Sequence, residues 1–460
     1  AEVVFGLCDA TRSQQMGQLN RFIAEVLGFE GWKVLDWWWE RDDGVAYRPV
    51  SPALVPPGAK LVIRVGRQWM GRCVVCGARC GKVHEHLQVR RWRDLPWCDH
   101  PVELEYAPDR LACRRCCSAS VELLPWAERA QRETMRFQQH VALDASSMPL
   151  SHAATRYGID WHTARRAEQH ALQRWQATRT PEPLTMVGVD EKYLGRRNTF
   201  DDKYVTIVSN LQNGEPIWIG FGRGETTLGQ WLGTLSDEQK AAIRLFAMDM
   251  HAPFKAAIRA DEKLAHAEIT HDPFHIMKRA GEAIDELRRQ VFFRAGPQMR
   301  ALGRGKRWLF KKAWDNCSPE EKAELKKLLG LNGKLAHAYQ VVEELREVLH
   351  APDEFSMLLG LTHVLRRIER RDNKPMRGLH DCIDRHFPEI LALGKHRPPV
   401  GRVEALNNNW ETLVRQGRGY RDLQYLLLKL RFAIANPVRA EDGVLRFLAL
   451  GLPAPYRKAA

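Results

Sequence analysis

The sequence predicts a multidomain chain: a cysteine-stapled, loop-rich unit and an all-α region come first, then an α/β core interrupted by an all-α insertion. Three observations carry that expectation. Most of the cysteines fall between residues 73 and 117, β-like and helical runs alternate from residue 184 to residue 270, and nearly everything from about 277 to 395 is polar with helical periodicity. At 460 residues the chain exceeds what one hydrophobic core usually organises, so two to four structural units are expected and a single small module is excluded. Hydrophobic residues at 44% and charged residues at 27% give the balance of a folded globular protein. Lys plus Arg outnumber Asp plus Glu by 70 to 56, and this net charge of +14 points to a polyanionic partner such as nucleic acid or an anionic membrane surface. No apolar run approaches the roughly 18 residues of a membrane span and no leader pattern opens the chain, which predicts a soluble cytoplasmic protein with no membrane partner.

Residues 1–72 are expected to form an N-terminal helix and strands. A helix is predicted over 11–28, with Leu19, Phe22, Ile23, Val26 and Leu27 on one stripe and Gly28 at its end. Val34–Trp39 and Leu61–Val65 read as strands, separated by the turn-prone Val55-Pro56-Pro57-Gly58.

Residues 73–125 read as a zinc-binding unit. Cys73-x-x-Cys76 and Cys113-x-x-Cys116 are two chelating pairs, each able to present two thiolates from a tight turn to one tetrahedral structural Zn²⁺. A redox role is the alternative, and the second pair argues against it because four ligands suit a closed site. The spacing of 37 residues between the pairs demands strands of its own, such as Val102–Tyr106. Cys80, Cys98, Cys117, His84, His86 and His100 read as spare. Arg90, Arg91 and Arg93 alternate with Trp92 and Trp97, which is either a phosphate-facing surface or a buried aromatic cluster with solvated arginines.

Residues 126–180 read as a helix-turn-helix DNA-binding region. Ala154 allows close helix packing, Gly158 supplies the turn, Ala164 faces inward, and Ser151 and Asp160 are natural N-caps. The second helix would present Trp161, His162, Arg165 and Arg166 to a major groove. Residues 60–180 hold 20 basic and 12 acidic side chains, a large share of the excess positive charge.

After the linker Thr180-Pro181-Glu182-Pro183, strands are predicted at Leu184–Val189, Lys203–Val208, Ile217–Phe221, Ile243–Met248 and Ala267–Thr270. Helices are expected at Thr227–Leu235 and over 253–260. Asp190 and Asp249 each end an apolar strand, where an ionised carboxylate is costly unless a divalent cation compensates it. Adjacent strands would bring the pair together. Downstream, Val403, Leu406, Trp410, Leu413 and Val414 follow helical spacing, with Glu404 at the edge of that face and Asn407 and Asn408 one turn later, placed to orient it or to touch DNA. Two Asp and one Glu can hold two Mg²⁺ or Mn²⁺ ions roughly 4 Å apart, a site that cuts or rejoins phosphodiesters. Glu411 is the rival for the third position. Between Asp249 and Glu404 lie 154 residues, too many for a loop, so 277–395 reads as an inserted helical subdomain. Its stretch 277–315 carries 11 basic and 4 acidic side chains and suits a DNA backbone, and Gln416–Arg421 adds a basic loop.

Taken in order, the Asp190 strand, Asp249-Met250-His251-x-x-Phe254, His271-Asp272-Pro273-Phe274-His275 and Val403-Glu404-Ala405-Leu406-Asn407-Asn408 resemble the DDE transposases of the bacterial ISL3 insertion sequences. Arg93-Asp94-Leu95-Pro96 is similar to the N-terminal zinc-binding segment of that family, and the likeness spans about residues 18–436. Pro273 and Ala405 stand where the family often has Arg and Gly. The resemblance implies a ribonuclease-H-like catalytic domain over 184–276 and 396–436, a tail over 437–460, catalytic roles for Asp190, Asp249 and Glu404, and auxiliary roles for Asp272 and His275. It further implies a nucleoid-associated enzyme that binds the terminal inverted repeats of its element as a homodimer or higher oligomer, with double-stranded transposon-end and target DNA as partners. A DNA-bound regulator that keeps the fold with little activity is the competing reading, and a simple metal-dependent nuclease is a third.

Overall fold

A computed structural model of the chain describes residues 17–48, 55–56, 58–180, 182–194, 202–294, 296–371, 373–417 and 420–452. Residues 11–16 of the expected first helix, Pro57, Pro181, Arg418, Gly419 and the end of the tail lie outside the described residues. Two compact units form, one from Ala1–Thr180 with Thr412–Ala460 and the other from Pro181–Glu411.

In the first unit residues 17–27 are helical (α1). Ten strands follow: β1 (Trp32–Glu40), β2 (Ala46–Tyr47), β3 (Lys60–Arg67), β4 (Gly71–Arg72), β5 (Arg79–Cys80), β6 (Val83–His86), β7 (Arg90–Trp97), β8 (His100–Tyr106), β9 (Asp109–Ala112) and β10 (Ala119–Val121). The main sheet has the order β2-β1-β3-β8-β7, and β10-β9-β6 make a smaller one. Strands before and after the first cysteine pair therefore share one sheet, so residues 1–72 and 73–125 interleave. On α1, Ile23 and Leu27 are buried whereas Leu19, Phe22 and Val26 are exposed, a narrower buried stripe than the periodicity predicts.

The core of this unit is built around Trp126, whose ring meets those of Phe29, Trp32, Trp92 and Tyr106 at centroid distances of 4.6–5.9 Å. Trp92 is 3% exposed, which excludes it from a phosphate-facing surface. Its flanking arginines are spoken for as well. Arg91 donates to Glu40 and Glu105 at 2.8 and 2.9 Å, and Arg93 donates to the Tyr157 carbonyl at 3.0 Å. Strand alternation sends Asp94 inward with Trp92. There its carboxylate accepts from Thr134 Oγ1 at 2.7 Å and from both Arg136 Nε and a terminal Arg136 nitrogen. The Arg93-Asp94 pair thus ties β7 to the helices that follow.

Those helices are α2 (Met135–Ala145), α3 (Leu150–Tyr157) and α4 (Trp161–Ala177). Gly158 ends α3 at φ 60°, the left-handed conformation that favours glycine, and Asp160 caps α4 by accepting from the Thr163 N–H at 3.0 Å. Ser151 does not cap α3. Pro149 occupies that position without a side-chain hydrogen bond, so the helix starts two residues earlier than expected and Ser151 falls in its first turn.

The second unit begins with β11 (Met186–Tyr193), β12 (Tyr204–Asn210) and β13 (Glu215–Phe221), then α5 (Glu225–Leu232), α6 (Asp237–Ala242), β14 (Leu245–Met248), α7 (Ala252–Ala260) and β15 (Glu268–His271). The predicted helix Thr227–Leu235 is α5, set two residues earlier at its start and three at its end, and a capping box of Ser236 and Gln239 starts the separate helix α6 beyond it. The sheet order is β13-β12-β11-β14-β15, with β11, β12 and β13 antiparallel and β11, β14 and β15 parallel. Val187, Val189, Phe246 and Met248 pack with Leu228, Trp231, Phe254 and Ile258.

The described residues of the insertion form helices and no strand: α8 (Pro273–Phe293), α9 (Pro297–Gly303), α10 (Arg307–Lys311), a short 3-10 turn (Trp314–Asn316), α11 (Pro319–Gly330), α12 (Gly333–Val348), α13 (Glu354–Glu369), α14 (Lys374–Arg385) and α15 (Phe387–His396). Ile284, Leu335, Val341, Leu361, Val364 and Ile390 are among its fully buried residues. Much of the charge in 277–315 is matched by nearby acids: Arg288 by Asp285, Arg289 by Glu286, Lys306 by Glu324 and Lys312 by Glu321.

The chain closes with α16 (Gly401–Gly417), α17 (Leu423–Ala435) and α18 (Gly443–Ala449). Residues 412–436, which the resemblance assigns to the catalytic domain, belong to the first unit, where α17 packs on α4. Glu168 of α4 and Lys429 of α17 are both buried and lie 2.5 Å apart, and the Tyr425 hydroxyl donates to the same carboxylate. Burial pushes the lysine towards neutrality, but the Glu168 carboxylate and Tyr420 together outweigh it and raise the ammonium pKa. Removing one partner of such a pair leaves an uncompensated charge. Glu168→Leu or Lys429→Met alone should each cost about 3–5 kcal/mol in denaturant titrations. The triple variant Glu168→Leu, Lys429→Met and Tyr425→Phe should recover most of that loss, and additive losses would contradict this account.

Candidate functional site

Parallel pairing of β11 with β14 sets Val187 against Phe246, Gly188 against Ala247 and Val189 against Met248. Asp190 and Asp249 come next in each chain, side by side; β14 stops at Met248, but β11 runs on to Tyr193 with Asp190 still paired to Ile207 of β12, so Asp190 does not end its strand as expected. A Cβ at Gly188 would come within 2.6 Å of Ser209 Oγ and 2.9 Å of a Leu211 methyl, so glycine is required for β11 to sit this close to its neighbours. Val403 of α16 packs with Leu211 and Ala247 on the same side.

The outcome is a narrow recess lined by Asp190, Asp249, Asp272 and His275, with Val189, Ala247, Met248, Val400 and Val403 as its apolar walls. Asp190 is 9% exposed; its Oδ1 accepts from the Glu191 N–H at 2.8 Å and its Oδ2 pairs with Lys192 Nζ at 2.8 Å. Asp249 Oδ1 accepts from the Met250 N–H at 2.6 Å, and Oδ2 lies 3.2 Å from His275 Nδ1. Asp272 caps α8 through the Phe274 N–H at 2.9 Å. Burial pushes the Asp272 carboxyl above its usual range, the Phe274 N–H and His275 pull it down, and the Asp190 and Asp249 charges push it up again. The sequence reading thus placed Asp190, Asp249, Asp272 and His275 in one region, and they share one recess.

Glu404 is exposed and directly follows Val403, whose side chain helps to wall the recess. Among the described residues, Asp190, Asp249 and Glu404 do not bring oxygens within 4.8 Å of one another as a set of three. Asn407, one turn further on, has a buried Oδ1 with no partner, and Asn408 on the same helix is exposed. Lys192 was missed by the sequence reading. Its signal is the two-residue period of a strand, which puts it on the same face as Asp190.

The four predicted cysteines do converge. Cys73 Sγ lies 3.6 Å from Cys116 Sγ, Cys76 Sγ lies 3.6 Å from Cys113 Sγ, and all four sulfurs fall within 4.8 Å of one another. A tetrahedral zinc with Zn–S bonds of about 2.3 Å needs sulfur–sulfur edges of about 3.8 Å, so the set fits that ion. Each pair sits in a matching turn. Gly77 follows the first at φ 69°, and Cys117 takes the corresponding left-handed position after the second at φ 52°, which makes Cys117 a turn residue. The Cys76 N–H pulls the Cys73 thiol down to about 6, towards the thiolate a metal requires. His86 instead pairs with Asp109, and His100 meets the Ala59 carbonyl.

At the start of α4, Trp161 and His162 are exposed. Arg165 pairs with Asp422 at 2.5 Å and stacks 4.9 Å over Tyr425, and Arg166 pairs with Glu133 at 2.8 Å. All four stand on one helix end, but the two arginines are held by intramolecular acids. A cleft of about 820 Å³ runs beside them, lined also by Arg415, Tyr420 and Arg421. No helix among the described residues is long and apolar enough to cross a membrane.

Residues 187–430, more than half of the chain, match a family described as "Transposase", and residues 122–172 match the "Helix-turn-helix domain of transposase family ISL3". The transposase for insertion sequence element IS1001 of Bordetella parapertussis is 28% identical over 92% of this chain and 100% of its own length. The transposase for insertion sequence element IS1557 of Mycobacterium tuberculosis is 24% identical over 82% of this chain and 89% of its own.

If the cysteine set holds zinc, Cys73, Cys76, Cys113 and Cys116 should resist maleimide alkylation until a strong chelator is added, as read by peptide mass spectrometry. Alkylation of all four at the rate of exposed Cys98 before chelation would contradict the site.

Proposed function

Because the chain belongs to the ISL3 family of transposases, we propose that it binds the terminal inverted repeats of an insertion sequence and cleaves and joins DNA at a site made by Asp190, Asp249 and Glu404. The observation that carries this reading is the in-register parallel pairing of β11 and β14, which aligns the first two acids. The sheet order, an antiparallel three-stranded meander followed by two parallel strands, supports a ribonuclease-H-like core.

The donor set suits Mg²⁺ or Mn²⁺. Carboxylate oxygens are hard ligands, and a divalent cation would relieve the crowding of Asp190, Asp249 and Asp272 in a recess where burial first, and the two neighbouring charges after it, raise the Asp272 carboxyl. Two ions held by Asp190, Asp249 and Glu404 would supply activation of the attacking water or 3′ hydroxyl and stabilisation of the leaving 3′ oxygen. The chain's own groups do the rest. His275 fixes one Asp249 oxygen and the Met250 N–H fixes the other, so that side chain is pre-oriented. Lys192 offsets the charge of Asp190, and the apolar walls from Val400 and Val403 limit water. Asp272 caps the helix that carries His275. Asn407 and Asn408 flank Glu404 on α16 as auxiliary orienting groups.

Trp161 and His162 are the base-reading candidates of the helix-turn-helix, with Arg165 and Arg166 as phosphate contacts that must exchange Asp422 and Glu133 for DNA. Structural zinc at the four cysteines holds the neighbouring fold. Paired cleavage of two transposon ends calls for a homodimer or higher oligomer on DNA.

The test is a cleavage and joining assay on labelled end DNA. Asp190→Ala, Asp249→Ala and Glu404→Ala should each lower nicking and strand transfer by roughly 10³-fold or more while end binding is retained. Activity in Glu404→Ala with a dead Glu411→Ala would move the third role to Glu411. A wild-type protein that shifts end DNA without nicking it in Mg²⁺ or Mn²⁺ would favour the regulator, and nicking without joining would favour a nuclease. In the same binding assay Trp161→Ala and His162→Ala should each weaken end binding by roughly 5–100-fold. Unchanged affinity in both would remove α4 from the interface.

A further inference from the structure

We propose that His271, His386 and Glu389 form a second zinc site, built from two imidazoles and one carboxylate, that fastens the helical insertion to the last strand of the sheet. His271 ends β15, His386 joins α14 to α15, and Glu389 lies in the first turn of α15. Their ligand atoms all lie within 4.8 Å of one another. The facing nitrogens, His271 Nε2 and His386 Nδ1, are 3.2 Å apart. A tetrahedral zinc with Zn–N bonds of about 2.0–2.1 Å spans nitrogens about 3.3–3.4 Å apart, so the imidazoles are already at bridging distance.

The remaining atoms are arranged for a ligand. His271 Nδ1 lies 3.4 Å from the Met248 carbonyl, the outer contact that fixes the tautomer of a metal-bound histidine and leaves Nε2 with its lone pair. His271 is 1% exposed, and burial holds its pKa down to about 4, so the ring is neutral at physiological pH. Glu389 is 8% exposed, with one oxygen taken by Lys255 and Oε2 buried without a hydrogen-bond partner. An orphaned buried carboxylate oxygen beside two imidazoles, both pushed towards the neutral form by burial, is costly unless a cation fills the gap. Mixed nitrogen and oxygen donors favour zinc over magnesium, which sets this cluster apart from the proposed set of Asp190, Asp249 and Glu404, whose donors are all carboxylate oxygens. The Thr270 hydroxyl already donates to the Glu389 carbonyl at 3.0 Å, so zinc would reinforce an existing seam between β15 and the insertion.

The experiment counts zinc. The full chain is equilibrated with Zn²⁺ in millimolar Mg²⁺, freed of loose metal by gel filtration and measured by elemental mass spectrometry. Wild type should hold two zinc ions per chain, and His386→Ala and the milder Glu389→Gln should each hold one. Cys113→Ser with Cys116→Ser should also hold one, and adding Glu389→Gln to that pair should leave none. With Co²⁺ in place of zinc, the cysteine variant should keep ligand-field bands without thiolate charge transfer. One zinc in the wild type, a second zinc that survives both His386→Ala and Glu389→Gln, or a second zinc lost in Asp190→Ala instead would each overturn the site.

Discussion

The second unit depends on one constraint: two parallel strands, whose paired apolar residues are followed in each chain by an aspartate, pair without slippage. A shift of one residue would turn one carboxylate to the opposite face of the sheet and separate the pair. The register is protected by burial, since Val187, Val189, Phe246 and Met248 all lie in one apolar core. Gly188 adds a steric condition, because any larger residue there would strike Ser209 and Leu211. Packing therefore places two like charges side by side against their repulsion, and the Lys192 ammonium beside Asp190 offsets part of that cost.

The first unit solves a different problem. A loop-rich segment with small sheets has little core of its own. It is held by converging cysteines, by the aromatic cluster on Trp126, and by Asp94, which gathers Thr134 and Arg136 from the next element. The second helix of the helix-turn-helix, α4, gains a further anchor in the buried Glu168, Lys429 and Tyr425 group. Rigid support of this kind is what a DNA-reading helix needs if its exposed first turn is to be positioned repeatably.

Strand and helix positions were largely legible because local patterns determine them. The expected Ile217–Phe221, Ile243–Met248 and Ala267–Thr270 correspond to Glu215–Phe221, Leu245–Met248 and Glu268–His271. The cysteine spacing likewise foretold the four-sulfur set. Contacts across the fold were not legible. Periodicity showed that Arg91 and Arg93 alternate with tryptophans but could not show that Glu40, Glu105 and the Tyr157 carbonyl wait for them. Arg165 and Arg166 had the same fate, since Asp422 is distant in sequence and Glu133 belongs to an earlier turn. The pairing of His271 with His386, more than a hundred residues apart, carries no local signature at all.

The central claim is that Asp190, Asp249 and Glu404 serve one metal-dependent site. Its most direct measurement is a crystal structure of the protein on end DNA with Mn²⁺, located by anomalous scattering. The account predicts two manganese ions roughly 4 Å apart, with Asp190 and Asp249 as shared ligands and Glu404 completing one of them. Manganese absent from those oxygens, or a different side chain in the place given to Glu404, would contradict it.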